Sequence, residues 1–228
     1  MTFSFSRHSE IGLSAQNISC VRGGRLVFAG VSFAIAAGEA LVLRGRNGIG
    51  KSSLLRMIAG LVPVHDGQFA LEGADGDIDL AQLCHYFGHL DAIKPVLSVA
   101  ENLRFWGSYL ALGPEFEPAT GYDTQTALDA VGIGTLATLP AGYLSAGQRR
   151  RLALARLLVA PRPIWLLDEP TSALDTEGQG RLFAMVEAHL SAGGLIVAAT
   201  HADLPFEIET LDLTSYAEND IDIADLAS

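Results

Sequence analysis

The chain has 228 residues, 49% of them hydrophobic, which is enough for one globular domain with a substantial core. Its formal charge of −11, from 26 acidic and 15 basic residues, excludes a broad basic footprint and so argues against nucleic acid as a partner. No apolar run approaches the roughly 18 residues of a membrane span, Met1 to Gly12 carries no apolar leader, and the two separated cysteines, Cys20 and Cys84, fit a reducing compartment rather than a disulfide or zinc framework.

Leu13 to Phe33 reads as two strands around the turn Arg22-Gly23-Gly24-Arg25. A second turn, Ala36-Ala37-Gly38-Glu39, leads into the apolar run Ala40-Leu41-Val42-Leu43, a predicted buried strand. Next comes Gly45-Arg46-Asn47-Gly48-Ile49-Gly50-Lys51-Ser52, which satisfies G-x-x-x-x-G-K-[ST] at every fixed position. A helical stretch from Ser53 to Ala59 follows, so the motif sits between a strand and a helix as its mechanism requires. Glycines let the backbone turn its N–H groups toward phosphate oxygens. The helix N-terminus adds partial positive charge. Lys51 can reach the β- and γ-phosphates, and the Ser52 hydroxyl can ligate Mg²⁺. The chain is therefore expected to bind a nucleoside triphosphate, ATP, with Mg²⁺.

Gln68 to Leu71 is a predicted short strand. Val99 to Leu112 is helical, with breaks at Gly113-Pro114 and Pro118, and Thr124 to Val131 is helical again. A long helix runs from about Ala146 to Val159 and stops before Pro161. Ile164 to Leu167 is a continuous apolar run ending in Asp168-Glu169, and Gly194 to Thr200 is another, ending at His201. Such runs suit central strands covered on both faces, and the helix between them, Thr176 to Leu190, completes a βαβ unit. The expected architecture is one α/β domain over residues 1–228. It has a mixed sheet core, N-terminal antiparallel strands, a helical subdomain inserted at about residues 90–155, and a short acidic segment at 205–228. Glu207, Glu209, Asp212, Glu218, Asp220, Asp222 and Asp225 are expected to form a solvated tail.

Asp168 ends an apolar strand, where a carboxylate can hold Mg²⁺ directly or through water, and Glu169 is placed to polarise an attacking water. Leu144-Ser145-Ala146-Gly147-Gln148 opens the Arg-rich helix and offers a second anion-binding helix terminus. One chain does not need two γ-phosphate sites, but two chains head to tail do. The serine loop of one would then cap the nucleotide held by the other. Arg149, Arg150 and Arg151 are expected to form a solvated helix face, with contacts to a membrane partner as the alternative.

Gly45 to Ser52, Leu144 to Gln148, Leu166 to Glu169, Ser172-Ala173-Leu174-Asp175 and His201 together resemble the ATP-binding cassette (ABC) ATPases, in order and spacing, over about residues 13–204. The resemblance implies a phosphate-loop NTPase of ABC type that forms a homodimeric ATP sandwich. It assigns ATP contacts to Gly45, Arg46, Asn47, Gly48, Ile49, Gly50, Lys51, Ser52 and Ser53. It gives Ser145, Gly147 and Gln148 the trans nucleotide contact, Glu169 the role of base, His201 that of γ-phosphate switch, and Asp175 a place in the dimer interface. Lys51 joins Glu169 and His201 as a catalytic residue.

Two positions depart from the family pattern. Where an aromatic residue usually stacks on adenine, Arg22 stands, and a guanidinium plane can also stack on a base. Where the family has a glutamine ahead of the helical lobe, His89 stands. Its imidazole could hold the water or the metal beside Ser52 and Asp168, or it could be an ordinary loop residue. Arg25 to Phe33, Gly88-His89 with Ile93-Lys94, and Leu144 to Leu157 further resemble the cytochrome c biogenesis ATP-binding subunits, the heme exporter A family.

That second resemblance implies a peripheral ATPase on the cytoplasmic face of the bacterial inner membrane. It would dock on integral membrane subunits, touch the bilayer only through them, and use ATP for heme export or for release of a heme-loaded chaperone. A partner groove is expected near His89 to Val96. No direct heme binding by this chain is expected. The same motifs also fit the ATPase of a generic small-molecule or lipid exporter, and, against the net acidity, a soluble cassette ATPase acting on nucleic acid or ribosomes.

Overall fold

The computed structural model describes residues 11–73, 79–110, 121–202 and 208–217, and two sheets flank the phosphate loop. β1 (Gly12–Arg22) and β2 (Arg25–Ile35) form an antiparallel hairpin closed by Gly23 and Gly24, both at positive φ. That backbone matches the strand twist and favours glycine at both turn positions. β3 (Ala40–Arg44) opens the second sheet, and α1 (Lys51–Ile58) follows the loop. β4 (Asp66–Glu72) returns to the other edge of β1, giving the order β2-β1-β4.

Next along the chain come α2 (Leu80–Leu83), β5 (Cys84–Phe87), α3 (Val99–Leu110), α4 (Thr124–Ala130) and α5 (Ala146–Val159). They are followed by β6 (Ile164–Asp168), α6 (Thr176–Ser191), β7 (Leu195–Ala199) and β8 (Glu209–Asp212). The second sheet is parallel, in the order β5-β6-β7-β3-β8. α3 and α4 pack on each other and on α5, which carries the chain back to the sheet. The expected breaks at Gly113-Pro114 and Pro118 lie outside the described residues, as do Glu207, Glu218, Asp220, Asp222 and Asp225.

The apolar runs are continuous because successive strand residues serve two different cores. Leu41, Leu43, Ile164, Leu166, Leu195 and Val197 face one core, shared with α1 and the antiparallel sheet. Val42, Trp165, Leu167, Ile196 and Ala198 face the other, shared with α5, α6 and the helices α3 and α4. A strand with polar alternation at these positions would leave one layer uncovered.

Three features differ from the sequence expectations. β5 was not predicted: it is a short Cys-His-Tyr-Phe segment without strong periodicity, and it exists because β6 offers a parallel edge and His85 donates from Nε2 to the Ala160 carbonyl. Glu209 to Asp212 is not tail but the edge strand β8, paired with β3, although the carboxylates of Glu209 and Asp212 are exposed as expected. Arg150 and Arg151 do not lie on a solvated face: they are 4% and 9% exposed and bonded within the chain.

His85 and His189 are both buried, and desolvation pushes each imidazole down to about 3. In the unfolded chain each titrates near about 6.5, so between these values the unfolded state binds more protons. Their contribution is complete above about pH 6.5 and declines as pH falls, by about 1.4 kcal/mol each at pH 5.5. Urea unfolding midpoints at pH 7.5 and 5.5 measure this, and His189→Phe should flatten part of the dependence. Equal stability at the two pH values would contradict a neutral, buried pair.

Candidate nucleotide-binding and hydrolysis site

β3 delivers the chain to the phosphate loop, whose glycines carry the turn: Gly45, Gly48 and Gly50 have φ of 126, 83 and 108°. Gly50 is required for a second reason. A Cβ there would stand 2.7 Å from the Phe28 ring and 2.8 Å from Val27, so β2 presses directly on the loop. Ile49 plugs the core at 4% exposure while Arg46, Asn47 and Gly48 face solvent. Lys51 opens α1, and its Nζ reaches back along the loop to donate to the Gly45 carbonyl at 2.6 Å and the Arg46 carbonyl at 3.3 Å.

The C-terminal ends of β3, β6 and β7 bring the remaining groups to this point, as open parallel sheets do. Ser52 Oγ donates to Asp168 Oδ1 at 2.9 Å. The other carboxylate oxygen accepts from Tyr86 OH at 3.1 Å, and that hydroxyl accepts from Arg56 Nε at 3.0 Å. A serine hydroxyl and a carboxylate in contact suit a hard cation such as Mg²⁺, which takes few protein ligands and keeps several waters.

His201 Nε2 lies 2.9 Å from Asn47 Oδ1, 3.4 Å from Lys51 Nζ and 3.8 Å from Glu169 Oε1. With Nε2 protonated, the ring donates to Asn47. Glu169 adopts φ 46°, unusual for a residue with a Cβ, and its N–H donates to the Ala199 carbonyl at 2.8 Å. The structure therefore gathers Asn47, Lys51, Ser52, Asp168, Glu169 and His201 into one cluster.

Ser145 caps α5. Its Oγ accepts from the Gln148 N–H at 3.2 Å while Gln148 Oε1 accepts from the Ser145 N–H at 2.9 Å, a reciprocal capping box. Gly147 is close-packed, since a Cβ there would lie 3.1 Å from the Ala173 carbonyl. Asp175 caps α6 by accepting from the Gly178 N–H at 2.9 Å and pairs with Arg151. The Arg151 guanidinium and that amide hold its carboxyl below the usual range. Among the described residues, no hydrogen bond joins Ser145, Gly147 or Gln148 to the phosphate loop of the same chain.

Residues 28–172 match the sequence model of the ABC transporter family. The chain belongs to the ABC transporter family. It is an ATPase of the ABC class. A protein of Rhodopseudomonas palustris strain BisB18, named cytochrome c biogenesis ATP-binding export protein CcmA, is 58% identical over 192 residues, which cover 84% of this chain and 92% of that protein. The protein of the same name from Bradyrhizobium diazoefficiens is 51% identical over 205 residues, covering 90% of this chain and 99% of that one.

A solved structure of a putative ABC transporter ATP-binding protein from Pyrococcus furiosus superposes with a TM-score of 0.75 over 91% of this chain and all of that one. At 21% identity it shows the fold alone. An inward-facing putative metal-chelate type ABC transporter is 26% identical, with a TM-score of 0.69 over 89% of this chain and 80% of that one.

Among the described residues, no side-chain hydrogen bond joins either departure from the ABC pattern to the cluster. Arg22 ends β1 at the exposed hairpin, opposite Arg25 in the strand register, and among the described residues its side chain makes no hydrogen bond. His89 is exposed, and it is Tyr86, not His89, that reaches the Asp168 carboxylate from the segment after α2. Tyr86 was missed in the sequence because a four-residue strand gives no period to show which way its side chains point. Arg150 was missed because its charge suggested solvent. In fact it donates to the carbonyls of Gly88, Asp168 and Glu169.

Proposed function

We propose that this chain is the ATP-hydrolysing subunit of an inner-membrane ABC complex for cytochrome c maturation, coupling hydrolysis to heme export or to release of a heme-loaded chaperone. The hydrolytic half rests on one observation: Lys51, Ser52, Asp168, Glu169 and His201 converge at the ends of three parallel strands. The cytochrome c half rests on relatives at 50–58% identity that carry that name.

In this reading the loop amides, Lys51 and Ser53 hold the phosphates, and Ser52 with Asp168 holds Mg²⁺. Glu169 orients and deprotonates the attacking water, and His201 senses the γ-phosphate. Ser145, Gly147 and Gln148, which among the described residues bond to no part of their own phosphate loop, would meet the γ-phosphate of a second copy, with Asp175 nearby in the interface. The single domain would consist of a nucleotide core and a helical subdomain at about residues 90–155.

Among the described residues no helix is long and apolar enough to cross a membrane, so contact with the bilayer would come through partner subunits. A cavity of about 650 Å³ between the sheet and the helices, lined by Arg56, Tyr86, His89, Leu90, Trp106 and Arg156, supports a docking groove for them. Leu90, which lines the cavity, and Val96 are exposed by 82% and 87%, apolar surface that a partner would cover.

Deleting the gene tests the biological half. Loss of covalently bound heme from c-type cytochromes, restored by the parental gene and not by a Glu169→Gln copy, is the expected result. Normal c-type cytochromes in the deletion would point instead to another export substrate.

A further inference from the structure

Arg150 carries more contacts to the hydrolytic strand end than any motif predicts. It enters from α5, just beyond the capping box, and is 4% exposed. Nη2 donates to the Glu169 carbonyl at 2.9 Å and to the Asp168 carbonyl at 3.2 Å. Nη1 donates to the Gly88 carbonyl at 2.6 Å and to Asp91 Oδ1 at 3.3 Å. The guanidinium carbon lies 3.9 Å above the Phe87 ring, which fixes the plane of the fork.

Glu169 needs such a hold. Its φ of 46° is a conformation that a residue with a Cβ adopts only when its surroundings impose it. The Ala199 carbonyl takes its N–H, and Arg150 takes its carbonyl, so the backbone is pinned on both sides of the Cα that bears the carboxylate. Lysine cannot reproduce this, because one ammonium lacks the planar fork that spans Glu169 and Gly88 at once.

We propose that Arg150 is the positioning residue for the general base: it sets the backbone angle at which Glu169 presents its carboxylate to water, and it ties that angle to the groove wall at Gly88 and Asp91. This rests on Glu169 being the base, as proposed above. Arg150 itself touches no reacting atom. A misplacement of the base by about 1 Å costs on the order of 100-fold in rate, and the loss should appear in the chemical step and not in nucleotide binding.

The test uses Arg150→Lys and Arg150→Gln in the full-length chain co-purified with its membrane partners, each alone and combined with Glu169→Gln. ATP binding, KM and single-turnover hydrolysis are measured. The expected result is a kcat lowered about 10- to 100-fold with KM within about three-fold, and no further loss when either change is added to Glu169→Gln. Arg150→Lys keeps a buried cation should Arg150→Gln fold poorly.

A parental kcat in both variants, with Glu169→Gln inactive, overturns the inference and leaves the ATPase reading intact. A loss equally large in both backgrounds, or one confined to KM, assigns Arg150 a merely structural or binding role and also overturns it. Hydrolysis by Glu169→Gln at the parental rate removes the base assignment itself.

Discussion

Glu169→Gln should bind ATP with near-parental affinity and hydrolyse it about 10²- to 10⁴-fold more slowly, the usual cost of removing a positioned acid–base group. The amide is isosteric and keeps the hydrogen-bonding outline, but it cannot accept a proton from water. Glu169 follows Asp168 directly, and the two carboxylates have different surroundings. Asp168 is 7% exposed and held by Ser52 and Tyr86, whereas the Glu169 side chain is 39% exposed and, among the described residues, pairs only with His201, at 3.8 Å. A carboxylate with both oxygens engaged suits a holding role. One that is partly open to solvent, on a backbone pinned at a fixed angle, suits a water that must be aimed. ATP binding by calorimetry beside phosphate release measures both parts, and turnover at the parental rate would move the base elsewhere.

Lys51→Met should lose both binding and turnover. Lys51 is 8% exposed, so methionine can occupy the same channel without leaving a hole. What disappears is the ammonium, which already sits between the Gly45 and Arg46 carbonyls, 3.4 Å from His201. A hydrogen bond to a charged group contributes about 1.5–3 kcal/mol, so ATP affinity should fall roughly 10- to 150-fold. Hydrolysis should fall by about 10²- to 10³-fold even at saturating ATP, because the same charge stabilises the phosphoryl oxygens as negative charge redistributes over them. Thermal unfolding without nucleotide should shift little, which separates loss of the ligand's partner from loss of the fold. Unchanged ATP affinity in Lys51→Met would contradict the phosphate-loop assignment.

These two variants also divide the site by cause. One removes a group that acts only in the chemical step, the other a group that acts in both the ground state and the transition state. If both lost binding alone, the cluster around His201 would be a binding site without chemistry.

The most legible parts of the chain were those in which a short run of residues contains its own physical reason. Gly45 to Ser52 is one: its glycines, its lysine and the following helix appear where the spacing places them, and Gly50 caps α1 with a left-handed backbone and no side chain. The apolar runs at 164–168 and 195–199 are another, because a strand buried on both faces has no room for polar alternation. Leu144 to Gln148 was legible as the start of the Arg-rich helix, and Ser145 caps α5 there.

Arg150, Tyr86 and the strand at 209–212 were illegible for a common reason. An arginine's charge suggests water until four carbonyl and carboxylate oxygens from two distant segments surround its head. A tyrosine in a four-residue strand suggests core until its hydroxyl meets Asp168, a residue 82 positions away. An acidic stretch suggests tail until β3 presents an unpaired edge to its backbone.

Sequence alone determined the chemistry that lies within a few bonds of one residue: which loop can wrap phosphate, which strand ends in paired carboxylates, which helix begins with a serine cap. Only the tertiary structure decided which side chains hold those groups at their working angles. Local patterns encode backbone conformation and burial, whereas the partner of a buried charge is set by whatever distant segment the fold brings within hydrogen-bonding reach.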